Sequence, residues 1–177
     1  MPEGGRRVLA IDPGTRFMGV AVLHERGLVY YGVSVFSRKR PAQALVLSTR
    51  DVLERLIDKY SPEVLAYEKS FYIQSRESAL LLAQEQEIRR LARVRGLLLR
   101  GLSPVTVRER LCGDGWARKR EVARRMAARY DDLRTYIAPP GTKRERYWHH
   151  LFDAVGVGVV CLEEMVRASE GPVRSAA

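Results

Sequence analysis

The amino-acid sequence predicts an α/β fold in which a five-stranded mixed sheet is flanked by helices. Two short apolar runs, residues 8–12 and 64–68, have the length and composition of buried strands, and each ends in a carboxylate. A long amphipathic segment precedes the second run, as a crossover to a parallel neighbour requires. Alternating apolar residues between the two runs predict further, antiparallel strands.

The first three predicted strands form an antiparallel meander. Residues 17–23 alternate around apolar side chains, residues 24–27 have the composition of a tight turn, and residues 28–36 are rich in valine and tyrosine. Pro41 can begin a helix, because its missing N–H is not needed in the first turn. Apolar residues then repeat at helical spacing as far as Tyr60, where the helix ends.

The longest helix candidate spans residues 76–95. Leu80, Leu81 and Leu82 surround the axis near its start, so the helix is buried on more than one side. Two interpretations are equally open on this pattern, a central core helix or a helix shared with a second subunit.

The remaining elements complete a single domain over residues 1–168, with a flexible tail at 169–177. They are a fifth strand over residues 97–102, a short helix after Pro104, a helix over 118–130, a basic loop at 143–146 and a last helix over 147–167.

The excess positive charge of the chain is concentrated in one block. The formal net charge is +10, and residues 87–148 contain 17 lysines and arginines against 7 aspartates and glutamates, whereas the two signs cancel elsewhere. Solvated surfaces usually mix both signs, so this block indicates a basic face and a polyanionic partner. Nucleic acid is the partner that the composition favours.

Other features exclude several classes of protein. Cys112 and Cys161 lack C-x-x-C spacing, which argues against a zinc site or a disulfide framework and fits a reducing, cytoplasmic compartment. Residues 1–7 are polar and do not resemble a signal peptide. The longest uncharged apolar run, residues 154–162, is too short to span a bilayer. We expect a soluble protein with no membrane partner.

Two carboxylates at strand ends are the first indication of a catalytic site. Asp12 stands where a buried strand stops at Pro13-Gly14, a place equally compatible with a turn-capping aspartate. Glu68 ends the other buried strand, and parallel neighbouring strands would bring both carboxylates to one end of the sheet. Carboxylates that close repel, so each needs a cation or one must take up a proton.

The last two long helices add polar residues that face the core. His150 and Asp153 share a helix face, although a histidine there would by itself more often be a surface residue. Lys119 falls on the apolar side of its helix, opposite a row of arginines, which indicates a nearby anion. Gly156 and Gly158 each cost the helix about 1 kcal/mol, which predicts that the helix backbone presses closely on the sheet.

The set Asp12, Glu68, His150 and Asp153 predicts a metal site. Oxygen ligands with few nitrogens suit Mg²⁺, with Mn²⁺ as a substitute, and do not suit zinc. Beside a basic block, the chemistry indicated is two-metal hydrolysis of a phosphodiester, with two ions in each active site. The order of strands and helices is that of the ribonuclease-H-like fold.

Five short segments carry a resemblance to a known family. The more specific are Ile-Asp-Pro-Gly-Thr at 11–15 and His-Leu-Phe-Asp-Ala at 150–154. Weaker ones lie at residues 67–71, 107–108 and 115–119. In this order and spacing, the sequence resembles the RuvC family of Holliday-junction resolvases over nearly its whole length. The resemblance implies an endonuclease that resolves four-way DNA junctions by paired cleavage.

The resemblance also implies roles for individual residues. Asp12, Glu68, His150 and Asp153 would carry the metals, and some family members have aspartate in place of His150. Lys119 matches a catalytic-site lysine, whereas Arg108 stands where the family usually has another lysine and cannot give up a proton. Phe71, followed by Tyr72, matches an aromatic that engages bases at the junction centre. The residues predicted to contact DNA are Phe71, Tyr72, Arg76, Arg108, Arg118, Arg120, Arg124, Lys143 and Arg144.

Family members are homodimers, which favours the shared-helix interpretation of residues 76–95, and a branch-migration helicase is a candidate partner. Departures from the family pattern at Tyr67, Lys69 and residues 156–158 are consistent with a divergent or phage-type branch. Two other classes remain open. One is a different ribonuclease-H-like nuclease acting on forks, flaps or RNA, and the other is a non-catalytic junction-binding protein.

Overall fold

A five-stranded mixed sheet forms the centre of the structure, a computed structural model that describes residues 6–25, 27–37, 41–70 and 75–170. The central strand β1 pairs antiparallel with β2 and parallel with β4, and the edge strands β3 and β5 complete the order β3-β2-β1-β4-β5. The predicted fold class and the parallel crossover are confirmed. The strands are β1 (Arg7–Asp12), β2 (Phe17–His24), β3 (Gly27–Val35), β4 (Val64–Glu68) and β5 (Leu98–Leu102).

Five α-helices flank the sheet within the described residues. A 3₁₀ turn at Asp131–Tyr136, which the sequence did not predict, connects the last two. No helix of the described ranges is both long and apolar enough to cross a membrane. The helices are α1 (Ala42–Tyr60), α2 (Arg76–Val94), α3 (Pro104–Cys112), α4 (Lys119–Arg129) and α5 (Lys143–Glu170).

The start of α5 corrects one prediction. Residues 143–146 are not a basic loop but the first turn of the helix. The Thr142 hydroxyl accepts the N–H of Glu145 at 3.1 Å, and the Glu145 carboxylate accepts the N–H of Gly141 at 2.6 Å. These bonds satisfy N–H groups at the helix start, so a threonine followed three residues later by glutamate was the relevant signal. The helix continues to Glu170, and the division at residue 168 stays a prediction.

Alternation along β1 divides the core into two layers. Leu9 and Ile11 pack with the layer that α1 and α2 form, whereas Val8 and Ala10 pack with α3, α4 and α5. Each side of the sheet is therefore covered by helices, which explains why β1 and β4 are apolar at almost every position.

The two helix glycines prove to have different neighbours. A Cβ at Gly158 would lie 2.1 Å from Leu23 Cδ1 and 3.0 Å from Ala10 Cβ, so α5 does press on the sheet there. A Cβ at Gly156 would instead meet Leu111 Cδ1 at 2.9 Å, on α3. The prediction that Gly156 faces the sheet is wrong, because Gly156 lies on the side of α5 that packs closely against α3.

Candidate active site

The parallel pairing of β1 with β4 brings the two strand-end carboxylates together. Ile11 lies opposite Tyr67 in the register, so Asp12 and Glu68 follow at the same edge of the sheet. Both fall on the positions of their strands that face α5, because alternate residues share one face. Asp12 is buried, with 6% of its surface exposed, and Glu68 is partly buried.

Burial and mutual repulsion perturb both carboxyl groups. Burial, together with the charges of Asp12 and Asp153, raises the pKa of Glu68 to about 8. Burial also raises the pKa of Asp12, although its hydrogen bond with His150 opposes the rise. Carboxyl groups with raised pKa values, clustered at the ends of neighbouring strands, are typical of a site that binds a cation.

Helix α5 supplies the other two predicted ligands. The Nδ1 atom of His150 lies 2.6 Å from Oδ2 of Asp12. The backbone reaches this position because β2 has a glycine there, and a Cβ at Gly19 would lie 1.8 Å from the His150 carbonyl oxygen. One turn further along the helix, the buried Asp153 accepts a hydrogen bond from Lys119.

Lys119, the first residue of α4, points into the carboxylate cluster as its helical position predicted. Burial by itself lowers the pKa of the ammonium group, but the charges of Asp153 and Asp12 outweigh burial and raise it above its usual range. The group therefore stays cationic at neutral pH. Arg108 on α3 also acts on the cluster, because its charge opposes the rise in the pKa of Glu68.

The chemistry of this donor set fits a divalent cation that prefers oxygen. Asp12, Glu68 and Asp153 offer carboxylate oxygens and His150 offers one imidazole, the mixture that Mg²⁺ and Mn²⁺ accept and that structural zinc sites do not use. In the arrangement described, Asp12 is engaged by His150 and Asp153 by Lys119. Among the described residues no three acidic, histidine or cysteine side chains already enclose a metal position.

Phe17 supports the imidazole of His150 and was missed by the sequence analysis. The two ring centroids lie 5.7 Å apart, and the rings of Phe17 and Tyr147 form a T-shaped pair with their centroids 5.2 Å apart. Phe17 follows the β1–β2 loop directly, so it is held beside the strand end that carries Asp12. Aromatic residues at the start of a buried strand are common, so the sequence contained no indication that Phe17 contacts His150.

Apart from Arg108, which acts on the carboxylate cluster, the predicted DNA-contacting residues fall into three groups. Arg118, Arg124, Lys143 and Arg144 are exposed, although Arg144 also donates to the Thr135 carbonyl at 3.4 Å. Arg120 is less free than expected, since its Nε lies 3.0 Å from a Glu145 oxygen. Phe71, Tyr72 and the side chain of Arg76 lie outside the described residues, so their roles stay predictions.

Trp116 lies in the segment 115–119 that contributes to the family resemblance, and the sequence predicted no role for its side chain. Trp116 is 84% exposed, and its backbone N–H donates to Asp114 Oδ1 at 2.8 Å in the turn just before α4.

Comparisons of the sequence with known proteins agree with one another. A family model described as crossover junction endodeoxyribonuclease RuvC matches residues 8–141. RuvC of Myxococcus xanthus is 35% identical over 133 residues, which cover 72% of this chain and 69% of that protein. RuvC of Akkermansia muciniphila is 32% identical over 122 residues, covering 66% and 73%.

Coverage is lower for other relatives. For RuvC of Fusobacterium nucleatum, which is 26% identical over 121 residues, the aligned part spans 66% of this chain and 64% of the relative. The family match also ends before the described start of α5, so the assignment of His150 and Asp153 depends on their geometry.

Solved structures show the same fold. Thermus thermophilus RuvC in complex with a Holliday junction substrate superposes with a TM-score of 0.69 at 22% identity, over 94% of this chain and 96% of that one. The yeast mitochondrial Holliday junction resolvase gives a TM-score of 0.68 at 12% identity, over 94% and 81%. At these identities the likeness concerns the fold alone.

Proposed function

Because the chain belongs to the RuvC family of crossover junction endodeoxyribonucleases, we propose that it cuts four-way DNA junctions by metal-dependent phosphodiester hydrolysis. The main support for this activity is the cluster formed by Asp12, Glu68, Asp153 and Lys119 at one end of the sheet. A protein that only bound junctions would gain nothing from buried carboxylates there, since they repel DNA phosphates.

Asp12, Glu68, His150 and Asp153 would hold Mg²⁺ ions, with Mn²⁺ as a substitute. Two such ions would supply activation of the attacking water and stabilisation of the leaving oxygen. Burial and the neighbouring acids raise the pKa of Asp12 and Glu68, so a bound cation would relieve the repulsion among these carboxylates when they are ionised. His150 fixes the position of Asp12 through the 2.6 Å contact.

Lys119 and Arg108 would supply the permanent positive charge of the site. The ammonium group of Lys119 is held in the cluster by Asp153, so it can neutralise a phosphate oxygen without reorganising. Arg108 would play the same electrostatic part, and its guanidinium stays protonated throughout the reaction. The exposed Arg118 and Arg124 on α4 would meet phosphates further along the strand.

The active species proposed is a two-fold homodimer. A four-way junction has two-fold symmetry in its open form, so paired cleavage calls for two identical sites, which an isologous interface provides. On α2, Leu82 remains 43% exposed within this chain, whereas Ile88 and Leu91 are in the core. The exposed leucine supports the shared-helix interpretation of α2.

The decisive experiment compares substrates with and without Mg²⁺. A four-way junction, a fork and an RNA–DNA hybrid of the same sequence are incubated with the wild-type chain, and with Asp12→Asn as the matched inactive variant. We expect symmetric nicks in the junction that depend on Mg²⁺ and on Asp12, with the variant still binding the junction. Preferential cleavage of the fork or hybrid would identify a different nuclease. Full turnover by Asp12→Asn would contradict the metal assignment.

The dimer has its own test. Leu82→Glu places a charge on the exposed position of α2, and Leu47→Glu on α1 is the matched control, since Leu47 is 44% exposed. Sedimentation at micromolar concentration should show a dimer for the wild type and the control, and a monomer for Leu82→Glu. A wild-type monomer that still cuts both strands within one binding event would rule out the dimer.

A further inference from the structure

A basic pocket lies beside the candidate active site, next to His150. Its volume is about 380 Å³, and it is lined by Arg16, Phe17, Lys143, Arg146 and Tyr147. Neither Arg16 nor Arg146 was among the residues expected to contact DNA. The pocket is formed where the β1–β2 loop meets the first turns of α5.

The charge around this pocket has one sign. No acidic side chain among the described residues lines it, and Arg16, Lys143 and Arg146 have no acidic ion-pair partner in the described part of the chain. The one acid in the first turn of α5, Glu145, is bonded to Arg120 and to the N–H of Gly141. It lines a different cavity on the other side of the helix, with Arg120 and Trp148.

An aromatic ring of the pocket restrains the side chain of Arg16. The guanidinium of Arg16 lies over the ring of Phe17, with its central carbon 4.8 Å from the ring centroid. Phe17 itself contacts the rings of Tyr147 and His150. A guanidinium placed in this way loses little freedom when it binds an anion, and its planar fork matches phosphate oxygens.

The position of the pocket relates it to the scissile strand. Arg146 lies four residues before His150 on α5, and Lys143 lies seven residues before it. At 1.5 Å of helix rise per residue, the two cations stand about 6 to 10 Å along α5 from His150. A distance of this size is comparable to the separation between neighbouring phosphates of one strand. A strand that places one phosphate at Asp12 therefore brings a phosphate a few nucleotides away, at most, to the pocket.

We infer that this pocket, made by Arg16, Lys143 and Arg146 around Phe17 and Tyr147, binds a backbone phosphate of the cut strand within a few nucleotides of the cleaved bond. This inference rests on the proposed function and adds a subsite to it. The phosphate group is held by the three cations, and the adjoining sugar packs on Tyr147. The pocket fixes which bond of the strand reaches the carboxylates.

The test is a chemical interference cycle on a four-way junction. Single phosphates at each of the four positions on either side of the mapped cut are replaced by neutral methylphosphonates, and dissociation constants are measured in metal-free buffer. Arg146→Gln removes one cation of the pocket. Arg55→Gln is the control, because Arg55 is an exposed residue of α1 on the opposite layer and the charge change is identical.

For the wild type, one methylphosphonate among the four positions on one side of the cut should weaken binding about tenfold. Arg146→Gln should weaken binding to the native junction about tenfold and lose nothing further at that same position, while Arg146→Lys restores most of the affinity. Arg55→Gln should leave the wild-type interference pattern unchanged. Circular dichroism melting of each variant verifies that it is folded.

Two results overturn the inference in distinguishable ways. If the wild type binds and cuts junctions but the losses from Arg146→Gln and from every methylphosphonate simply add, the pocket holds no phosphate and the proposed function stands. If the wild type neither binds nor cuts junctions, the proposed function fails and the pocket assigned to that substrate fails with it.

Discussion

The Nδ1 atom of His150 lies 2.6 Å from Oδ2 of Asp12, so the second turn of α5 is joined to the end of β1 across 138 positions of the sequence. The same residue is fixed at a second point, because its carbonyl oxygen rests against Gly19 of β2. Ring contact with Phe17 fixes it at a third. His150 is therefore a rigid part of the site, and substitutions there test its chemistry without moving the helix.

Replacing His150 by aspartate should preserve much of the cleavage activity, since either side chain can bind a divalent ion. His150→Ala leaves Asp12 without its neighbour and should lower single-turnover cleavage about tenfold to a hundredfold. Both rates are measured at saturating Mg²⁺ on the same junction. Equal activity of His150→Ala and the wild type would show that the imidazole is dispensable.

A methyl group at Gly19 should damage the site through the backbone. The added Cβ would lie 1.8 Å from the His150 carbonyl oxygen, so α5 must move away from β2. We expect Gly19→Ala to destabilise the fold by about 2 kcal/mol and to reduce cleavage as well. Gly32→Ala on β3 is the control, because the nearest atom to its Cβ is the Tyr30 hydroxyl at 3.3 Å. Denaturant unfolding that gives the same midpoint for both variants would contradict the close approach.

The sequence predicted the sheet well because its signals are local. Strands that end in Asp12 and Glu68 are short apolar runs with clear stops, and the helix between them requires a parallel pairing. The inward position of Lys119 also followed from a local property, the 3.6-residue period of α4. Each of these features depends on residues within one element.

What the sequence did not reveal depends on contacts between elements. The role of Phe17 depends on Tyr147 and His150, which are more than 120 residues away. Gly156 could not be assigned to α3 rather than to the sheet, because a glycine in a helix shows only that something approaches closely. The prediction of a basic loop at residues 143–146 was wrong for another reason. The four charged residues there have a composition typical of a loop, although Thr142 and Glu145 have the spacing of a helix cap.

Glu87 should make the stability of the protein dependent on acidic pH. The carboxylate is buried on α2 and accepts hydrogen bonds from Arg50 of α1 at 2.6 Å and from Arg90. Burial alone raises its pKa, but the bonds to Arg90 and Arg50 outweigh burial and lower it to about 2. Because this value lies below that of the unfolded chain, the contribution to stability is complete above about pH 5 and disappears as pH falls to 2.

The measurement compares Glu87→Gln with the wild type from pH 7 to pH 2. The free energy of unfolding of the variant should be lower by about 2 kcal/mol at pH 7, and the difference should vanish near pH 2. Glu109→Gln, at an exposed position of α3, is the control and should show little difference at any pH. A constant deficit for Glu87→Gln across the range would mean that packing and not ionisation explains the loss.

Glu68 should release a proton when the site takes up a divalent cation. Burial, with the charges of Asp12 and Asp153, raises its pKa to about 8, so without metal the carboxyl group is mostly protonated at pH 7. The unfolded chain has already lost that proton above its ordinary value of 4.5, so metal-free stability should fall as pH rises from about 5 to 8. A cation beside the carboxylate favours the ionised form and reverses this loss.

Titration calorimetry with Mg²⁺ in buffers of different ionisation enthalpy counts the protons released. At pH 7 we expect about one proton for each site that fills, and at pH 9, where Glu68 is already ionised, close to none. Glu68→Gln keeps the shape of the side chain but has no proton to lose. The number of protons that this variant releases on binding Mg²⁺ at pH 7 should therefore fall toward zero, even if weak binding persists. Equal proton release at pH 7 and pH 9 in the wild type would show that Glu68 is ionised before the metal arrives, and that Lys119 and Arg108 suffice to hold it so.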